Sequence, residues 1–357
     1  MAASVKWGEP FITEVTFPAM YKIVSWGSGV SGWNDGFAHF NCVQNGRGIG
    51  TNLGYAGNSD TANYPVAIPF SLFGMSPASS GFGTGFAYNR GGSGAMQVLC
   101  EFGEVDGLKK HFDLRVEAST NKLQIANGTA GTIVADSGLY TYPVTNYSHI
   151  EIIPVIGDSG SVQVWVDSVL RINASGIDIR NLGAGTVGII QYLFTAGQPI
   201  TDLYITDGAA RYGDKRVSYF ETTADGSLTD GSLVAVGAAT KHEAVDEVSS
   251  NGDTDYVEFD DTFLPKAYST TTRALPANVR SVGAVMPYAV VRKDDGGIDI
   301  VRSGLVSGGS SYETADVPSQ TGYILVPAEF VELDPNTGIA WTNAGADAAE
   351  PYLKRTA

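Results

Sequence analysis

Cysteine and histidine are scarce in this chain, with two of the first and four of the second in 357 residues. Cys42 and Cys100 cannot build the disulfide framework of a small secreted domain. They read as two reduced, half-buried thiols, with a single bridge between them as the alternative. His39, His111, His149 and His242 nowhere show zinc-ligand spacing. His39 lies near Cys42 but has no orienting partner in sequence, so a Cys/His nucleophile is disfavoured. There is no Gly-x-Ser-x-Gly elbow and no Walker loop, and no helix follows the Gly-rich Gly81-Phe-Gly-Thr-Gly85. No window approaches the roughly 18 consecutive apolar residues of a membrane-spanning helix. The opening Met-Ala-Ala-Ser-Val-Lys-Trp lacks the apolar core of a signal peptide, so synthesis in a cytosol is expected. Basic residues are also few: 22 against 38 acids, a net charge of −16. That balance argues against a nucleic-acid partner and favours solubility at high local concentration.

What is abundant is glycine and the aromatics, with 44 Gly, 17 Tyr and 15 Phe. This is the composition of an all-β chain with many tight turns. The plainest pattern runs from Tyr147 to Asp207. Ile150, Ile152 and Ile156 share one face, as do Val162, Val164 and Val166, on either side of Gly157-Asp-Ser-Gly160. Period-two alternation around such a turn predicts a hairpin, and Pro154 predicts an edge position or a bulge there. Upstream, strands are predicted over 81–88, 96–102, 111–117, 122–126 and 131–135, and shorter ones at Phe11-Ile12 and 21–24. Strands at short, even spacing point to a sandwich or jelly roll. Residues 27–95 are rich in Gly, Ser and Asn but too aromatic for a disordered linker, and read as long ordered loops.

The C-terminal part is also all-β. Val282–Arg292 and Ile298–Arg302 flank Asp294-Asp-Gly-Gly297, which predicts a second hairpin. Strands are further expected over 322–327 and 329–333, and one short helical turn over 344–350. A chain of this length predicts two domains. Acids outnumber bases by 16 to 11 before Asp214 and by 22 to 11 from it onward. Charge and strand pattern together place a sandwich over residues 1–213, a polar linker over 214–231 and an acidic β-sandwich domain over 232–357.

Several motifs, in order, resemble proteins of a known kind. They are Ser161-Val-Gln-Val-Trp-Val-Asp-Ser-Val169, Thr201-Asp-Leu-Tyr-Ile-Thr-Asp-Gly208, Tyr212-Gly-Asp-Lys-Arg-Val217 with Ala224-Asp-Gly226, and Val245-Asp-Glu-Val248. After them come Val290-Val-Arg-Lys-Asp-Asp-Gly-Gly297 with Val301-Arg-Ser-Gly304, and Glu332-Leu-Asp-Pro-Asn-Thr-Gly-Ile-Ala-Trp341. The succession, over most of residues 82–345, resembles the concanavalin/laminin-G-like two-domain structural proteins of tailed bacteriophages. The closing strand is one acid short of their pattern, and the first eighty residues match less well. The resemblance implies a jelly-roll sandwich followed by a smaller β-sandwich, and a non-enzymatic virion protein made in the host cytoplasm. A tail-associated fibre, adaptor or tip role is favoured, with capsid decoration or head fibre as the alternative. Implied partners are other virion proteins and further copies of the chain, a trimer being favoured, with no nucleic acid and no membrane insertion.

Two binding chemistries remain open in the residues themselves. Trp26, Trp33, Tyr55 and Tyr64, in the aromatic Gly-rich region, are the candidate contacts for a host-surface glycan or for another subunit, since aromatic rings serve both. Asp246, Glu247, Asp253, Asp255, Glu258, Asp260 and Asp261 form an acidic run that would suit calcium. Its spacing is not that of an EF-hand, so a solvated acidic rim is the favoured reading and no cofactor is expected. Paired carboxylates for glycoside hydrolysis can come from any two strands, and no pair stands out.

Overall fold

A computed structural model describes residues 5–9, 38–41, 53–56, 64–70 and, with short interruptions, 75–356. The chain divides into two compact units, the first carrying the strands up to Thr206 and the second those from Thr222 onward. It is an all-β protein built from antiparallel sheets.

The first unit contains β1 (Val5–Glu9), β2 (Ala38–Asn41), β3 (Leu53–Ala56), β4 (Tyr64–Pro69), β5 (Gly83–Tyr88), β6 (Gln97–Gly103) and β7 (Lys110–Val116). It continues with β8 (Leu123–Asn127), β9 (Thr132–Asp136), β10 (Ser148–Val155), β11 (Gly160–Val166), β12 (Val169–Ile177), β13 (Ile189–Phe194) and β14 (Ile200–Thr206). An eight-stranded sheet runs β12-β11-β10-β5-β14-β3-β2, with β1 also on β14; a six-stranded sheet runs β4-β13-β6-β7-β8-β9. The two sheets face each other across an aromatic core. Thr84 and Tyr192 join them by a 2.5 Å hydroxyl–hydroxyl bond, and the Phe86 ring meets Tyr192 edge-on at 5.7 Å. Phe102 and Phe112 stack at 4.3 Å within the six-stranded sheet. Phe70, Phe82, Phe86, Phe102, Phe112 and Ile150 are all fully buried, and each such side chain contributes roughly 1.5–3 kcal/mol.

The predicted hairpin is β10–β11, with Ile150 opposite Val166 and Ile152 opposite Val164. Burial in β11 alternates from residue to residue, as the pattern required. Pro154 sits at a local edge position and not at a bulge. β10 is internal, but its pairing with β5 ends at Ile152↔Thr84, so on that side the missing Pro154 N–H has no ladder to break. The strands expected at Phe11-Ile12 and 21–24 lie outside the described residues.

The second unit contains β15 (Thr222–Thr229), β16 (Val234–Val236), β17 (Tyr256–Glu258), β18 (Lys266–Thr272), β19 (Ala289–Val291), β20 (Ile300–Ser307), β21 (Ser310–Glu313), β22 (Val317–Pro318), β23 (Ile324–Val326), a short helix α1 (Asn343–Asp347) and β24 (Glu350–Arg355). Its main sheet runs β15-β18-β24-β20-β21, with β22 on β20, beside the pairs β16–β17 and β19–β23. Leu305, Val331, Trp341 and Ala349 form a buried cluster, and the Trp341 indole N–H donates to the Val331 carbonyl at 2.7 Å. Thr342 caps α1 by accepting from the Gly345 N–H.

Three sequence expectations are corrected here. The stretch 214–231 is not all linker, because Thr222–Thr229 is a strand on β18. Its polar residues are held by hydrogen bonds instead of apolar contacts: the Glu350 carboxylate accepts from the Ser227 N–H and from the Ser227 and Ser269 hydroxyls, at 2.6–2.8 Å. The hairpin around Asp294–Gly297 does not form. Among the described residues of Val282–Arg292 only Ala289–Val291 form a strand, which pairs with β23, while β20 pairs with β21, β22 and β24. Long-range pairing and burial of β20 outweigh the local turn signal. Residues 329–333 form no strand among those described; Val331 and Leu333 make isolated bridges to Val285 and Ala340.

Candidate functional site

The outward face of the six-stranded sheet carries a row of polar side chains where an apolar core has no claim. Gln191 on β13 is opposite Glu101 on β6, which is opposite Asp113 on β7. Alternation sends Cys100, Phe102, Phe112 and Leu114 inward and leaves Glu101, Asp113 and Arg115 outward. A register shift between Phe102 and Gly103 accompanies the arrival of Lys110 beside this row. Its ammonium donates at 2.9 Å to Glu101 Oε1 and at 2.9 Å to Asp113 Oδ2. Arg115 clamps Asp113 with both Nε, at 2.6 Å, and Nη2, at 2.5 Å. Two acids and two bases thus neutralise one another, and all four are buried. Burial pushes the Glu101 carboxyl up while the Lys110 charge opposes it; Lys110 itself is raised, its two carboxylates outweighing desolvation. Gln191 Oε1 in the same row is buried without a hydrogen-bond donor.

His111, next to Lys110, is fully buried and held as a neutral ring. Its Nδ1 accepts the Asn181 N–H at 3.2 Å, which leaves Nε2 to donate to the Thr186 carbonyl at 3.2 Å. Burial lowers its pKa.

A second constellation lies on the outward face of the eight-stranded sheet. Glu151 on β10 is opposite Gly85 on β5 and Trp165 on β11. Its carboxylate accepts the N–H groups of Tyr212, at 2.5 Å, and Gly213, at 3.0 Å, and meets Arg211 Nε at 3.3 Å. The Arg211 guanidinium stacks on Trp165 at 4.5 Å, and the Tyr204 hydroxyl donates to the Gly213 carbonyl at 2.6 Å. Gly85 is required here, because a Cβ would collide with the Tyr204 ring that lies across it. Residues 211–213 are thereby strapped to the sheet by a carboxylate that is only 2 % exposed.

Of the four aromatic residues chosen from sequence, Tyr55 and Tyr64 lie among the described residues. Trp26 and Trp33 lie outside the described residues. Tyr55 is in β3, opposite His39 and Ile200, and Tyr64 is in β4, opposite Phe194, so the two belong to different sheets. Cys42 is outside the described residues, and Cys100 is a free, buried thiol. Of the acidic run, Glu247, Asp253, Asp260 and Asp261 are likewise outside them. Among the described residues no three His, Cys, Asp or Glu side chains are grouped to hold a metal ion. Neither the Glu101 row nor the Glu151 strap was singled out from sequence; the signal available was a charged residue in the outward register of an otherwise apolar strand.

The sequence matches no protein-family model, and no curated protein aligns with it. Among solved structures the chain is similar to a Bacillus subtilis protein of unknown function with a galectin-like fold, at 10% identity and a TM-score of 0.41, over 59% of this chain and 100% of that one. It is similar to a galectin of Caenorhabditis elegans at 10% identity and a TM-score of 0.29, over 41% and 92%. Domain 4 of an extracellular arabinanase of Geobacillus stearothermophilus, solved with arabinotriose, gives 11% identity and 0.38, over 58% and 94%. These are distant likenesses, and no residue role is transferred from them.

Proposed function

We propose that this chain is a non-enzymatic structural protein of a tailed-bacteriophage virion, tail-associated, acting in assembly and in attachment to the host surface. The ordered succession of motifs from Ser161 to Trp341 carries the reading. The described geometry supports it in one respect: two of the buried carboxylates are committed to holding the fold. Asp113 is clamped by Arg115 and Lys110, and Glu151 by the strap at 211–213. A carboxylate so engaged has no free oxygen poised for general acid or base chemistry. Mass spectrometry of purified particles tests the proposal. The chain is expected among the virion proteins, and its absence from intact particles defeats the reading.

A second reading, a glycan-binding module, rests on the Gln191–Glu101–Asp113 row. The row is buried, with Gln191 3% exposed, so a sugar hydroxyl would supply the donor that Gln191 Oε1 lacks only by displacing what covers it. Retained glycan-array binding after Glu101→Ala and Gln191→Ala would remove this row from consideration. Binding that also survives joint replacement of Trp26, Trp33 and Tyr55 would remove the aromatic region.

A further inference from the structure

Both sheets of the first unit end on the same flank, where β9 and β12 are terminal strands that contact each other. Among the described residues β12 pairs with β11 alone, so one row of its backbone N–H and C=O groups is unused. β12 is nine residues long, and Val169, Asn173, Ser175 and Gly176 along it are exposed. Natural sheets blunt such an edge with lysine, proline, inward-pointing charge or bulges; β12 bulges against β11 at Arg171 and Gly176, which leaves Ile172–Ser175 as its regular stretch. Val169–Ile177 has no proline, no lysine and no acid, in a chain with 38 acids. Its one charge, Arg171, is drawn aside: the guanidinium lies over the Tyr140 ring at 4.0 Å. The acids that flank the strand are also tied back. Asp167 Oδ1 accepts the His149 N–H at 2.8 Å, and Asp178 Oδ1 accepts the Arg180 N–H at 3.1 Å. Aliphatic surface surrounds the edge, with Val169 47% exposed, Ile133 on β9 43% and Leu139 fully so.

We propose that β12 is a self-association edge, pairing antiparallel with β12 of a second copy of this chain so that the eight-stranded sheet continues across a two-fold axis. A second copy is the occupant because only like-to-like antiparallel pairing uses this one strand on both sides and then closes. Charge agrees. The chain is net −16, so copies repel wherever acids face each other, and β12 is the long exposed strand from which acids are missing. Asn173, exposed at the middle of the strand, lies close to its own counterpart across the axis, and Leu139 and Val169 add apolar cover at the flank.

Analytical ultracentrifugation of the full chain tests this across the micromolar range. The parent protein should show a concentration-dependent two-fold species. Asn173→Lys sets two like charges near each other and should weaken association about tenfold or more, with an unchanged far-ultraviolet spectrum. Asn173→Glu should do the same alone, and an equimolar mixture of the two variants should recover the dimer. A parent that stays monomeric, an oligomer untouched by either substitution, or a mixture that shows no recovery would each overturn the proposal.

Discussion

The two units reach an all-β structure by opposite means. In the first, sheets close on large rings, and Phe82, Phe86, Phe102, Phe112 and Tyr192 are entirely removed from water. In the second, the buried cluster is Leu305, Val331, Trp341 and Ala349, with half-buried Val282, Val285, Tyr312 and Ala346 around it. Hydroxyls and ion pairs supply much of the rest. Ser303 and Thr314 exchange bonds between their backbones and side chains, Glu350 holds β15, and Glu313 bridges Arg302 and Lys354. Apolar area is non-directional and tolerant of sequence, whereas satisfied polar groups are local and costly to break. The first unit should therefore respond most to lost volume, and the second to lost hydrogen-bond partners and to pH.

The largest effect is expected from Phe112→Ala, which removes one ring of the 4.3 Å stack with Phe102. It should cost the first unit about 3–5 kcal/mol in urea unfolding; a cost under about 1 kcal/mol would mean the core is not close-packed there. Glu151→Ala frees the Tyr212 and Gly213 N–H groups, and a loss of about 1.5–3 kcal/mol is expected. Faster proteolytic cleavage after Gly213 should accompany it, and unchanged cleavage would argue against the strap. In the second unit Glu350→Ala releases Ser227 and Ser269 together and should cost about 1–3 kcal/mol. Hydrogen exchange should show β15 opening before β18, and simultaneous opening of both would contradict a locally latched strand.

The smallest effects are those of pH, and they sharpen the contrast. His111 is held neutral with its pKa below the ordinary 6.5. At that site the folded unit binds fewer protons than the unfolded chain, so the His111 contribution falls as pH drops below about 6.5 until the folded ring itself titrates, while the raised Glu101 carboxyl acts in the opposite sense at lower pH. Glu313 goes the other way in cause: the Lys354 hydrogen bond brings its pKa from 4.5 to about 2. Its contribution is intact above 4.5 and lost as pH falls toward 2. Acid titration of melting should thus touch the first unit before the second, and the reverse order would break this part of the comparison.

How much was legible in sequence follows the same division. In the first unit apolar residues alternate along most strands despite bulges in β6–β7 and β8–β9, so β6 to β11 were readable to within a residue or two at each end. The second unit's strands are short and rich in Ser and Thr, and their partners are far away in sequence. Thr222–Thr229 looks like a linker because Glu350, more than 120 positions on, supplies what holds it. Asp294–Gly297 looks like a hairpin turn although the strands beside it belong to different sheets. The polar row was hidden for a related reason: Glu101, Asp113 and Gln191 become neighbours only through cross-strand register.

The functional account turns on the particle itself. An electron cryo-microscopy map of purified particles, in which the proposed role places this chain, is the most direct test. The account predicts density for a β-sandwich and a second β-unit at a fixed, symmetric position outside the genome, with copies in contact along Val169–Ile177. Particles that are intact and infectious without any such density, while the chain is present in the infected cell, would contradict it.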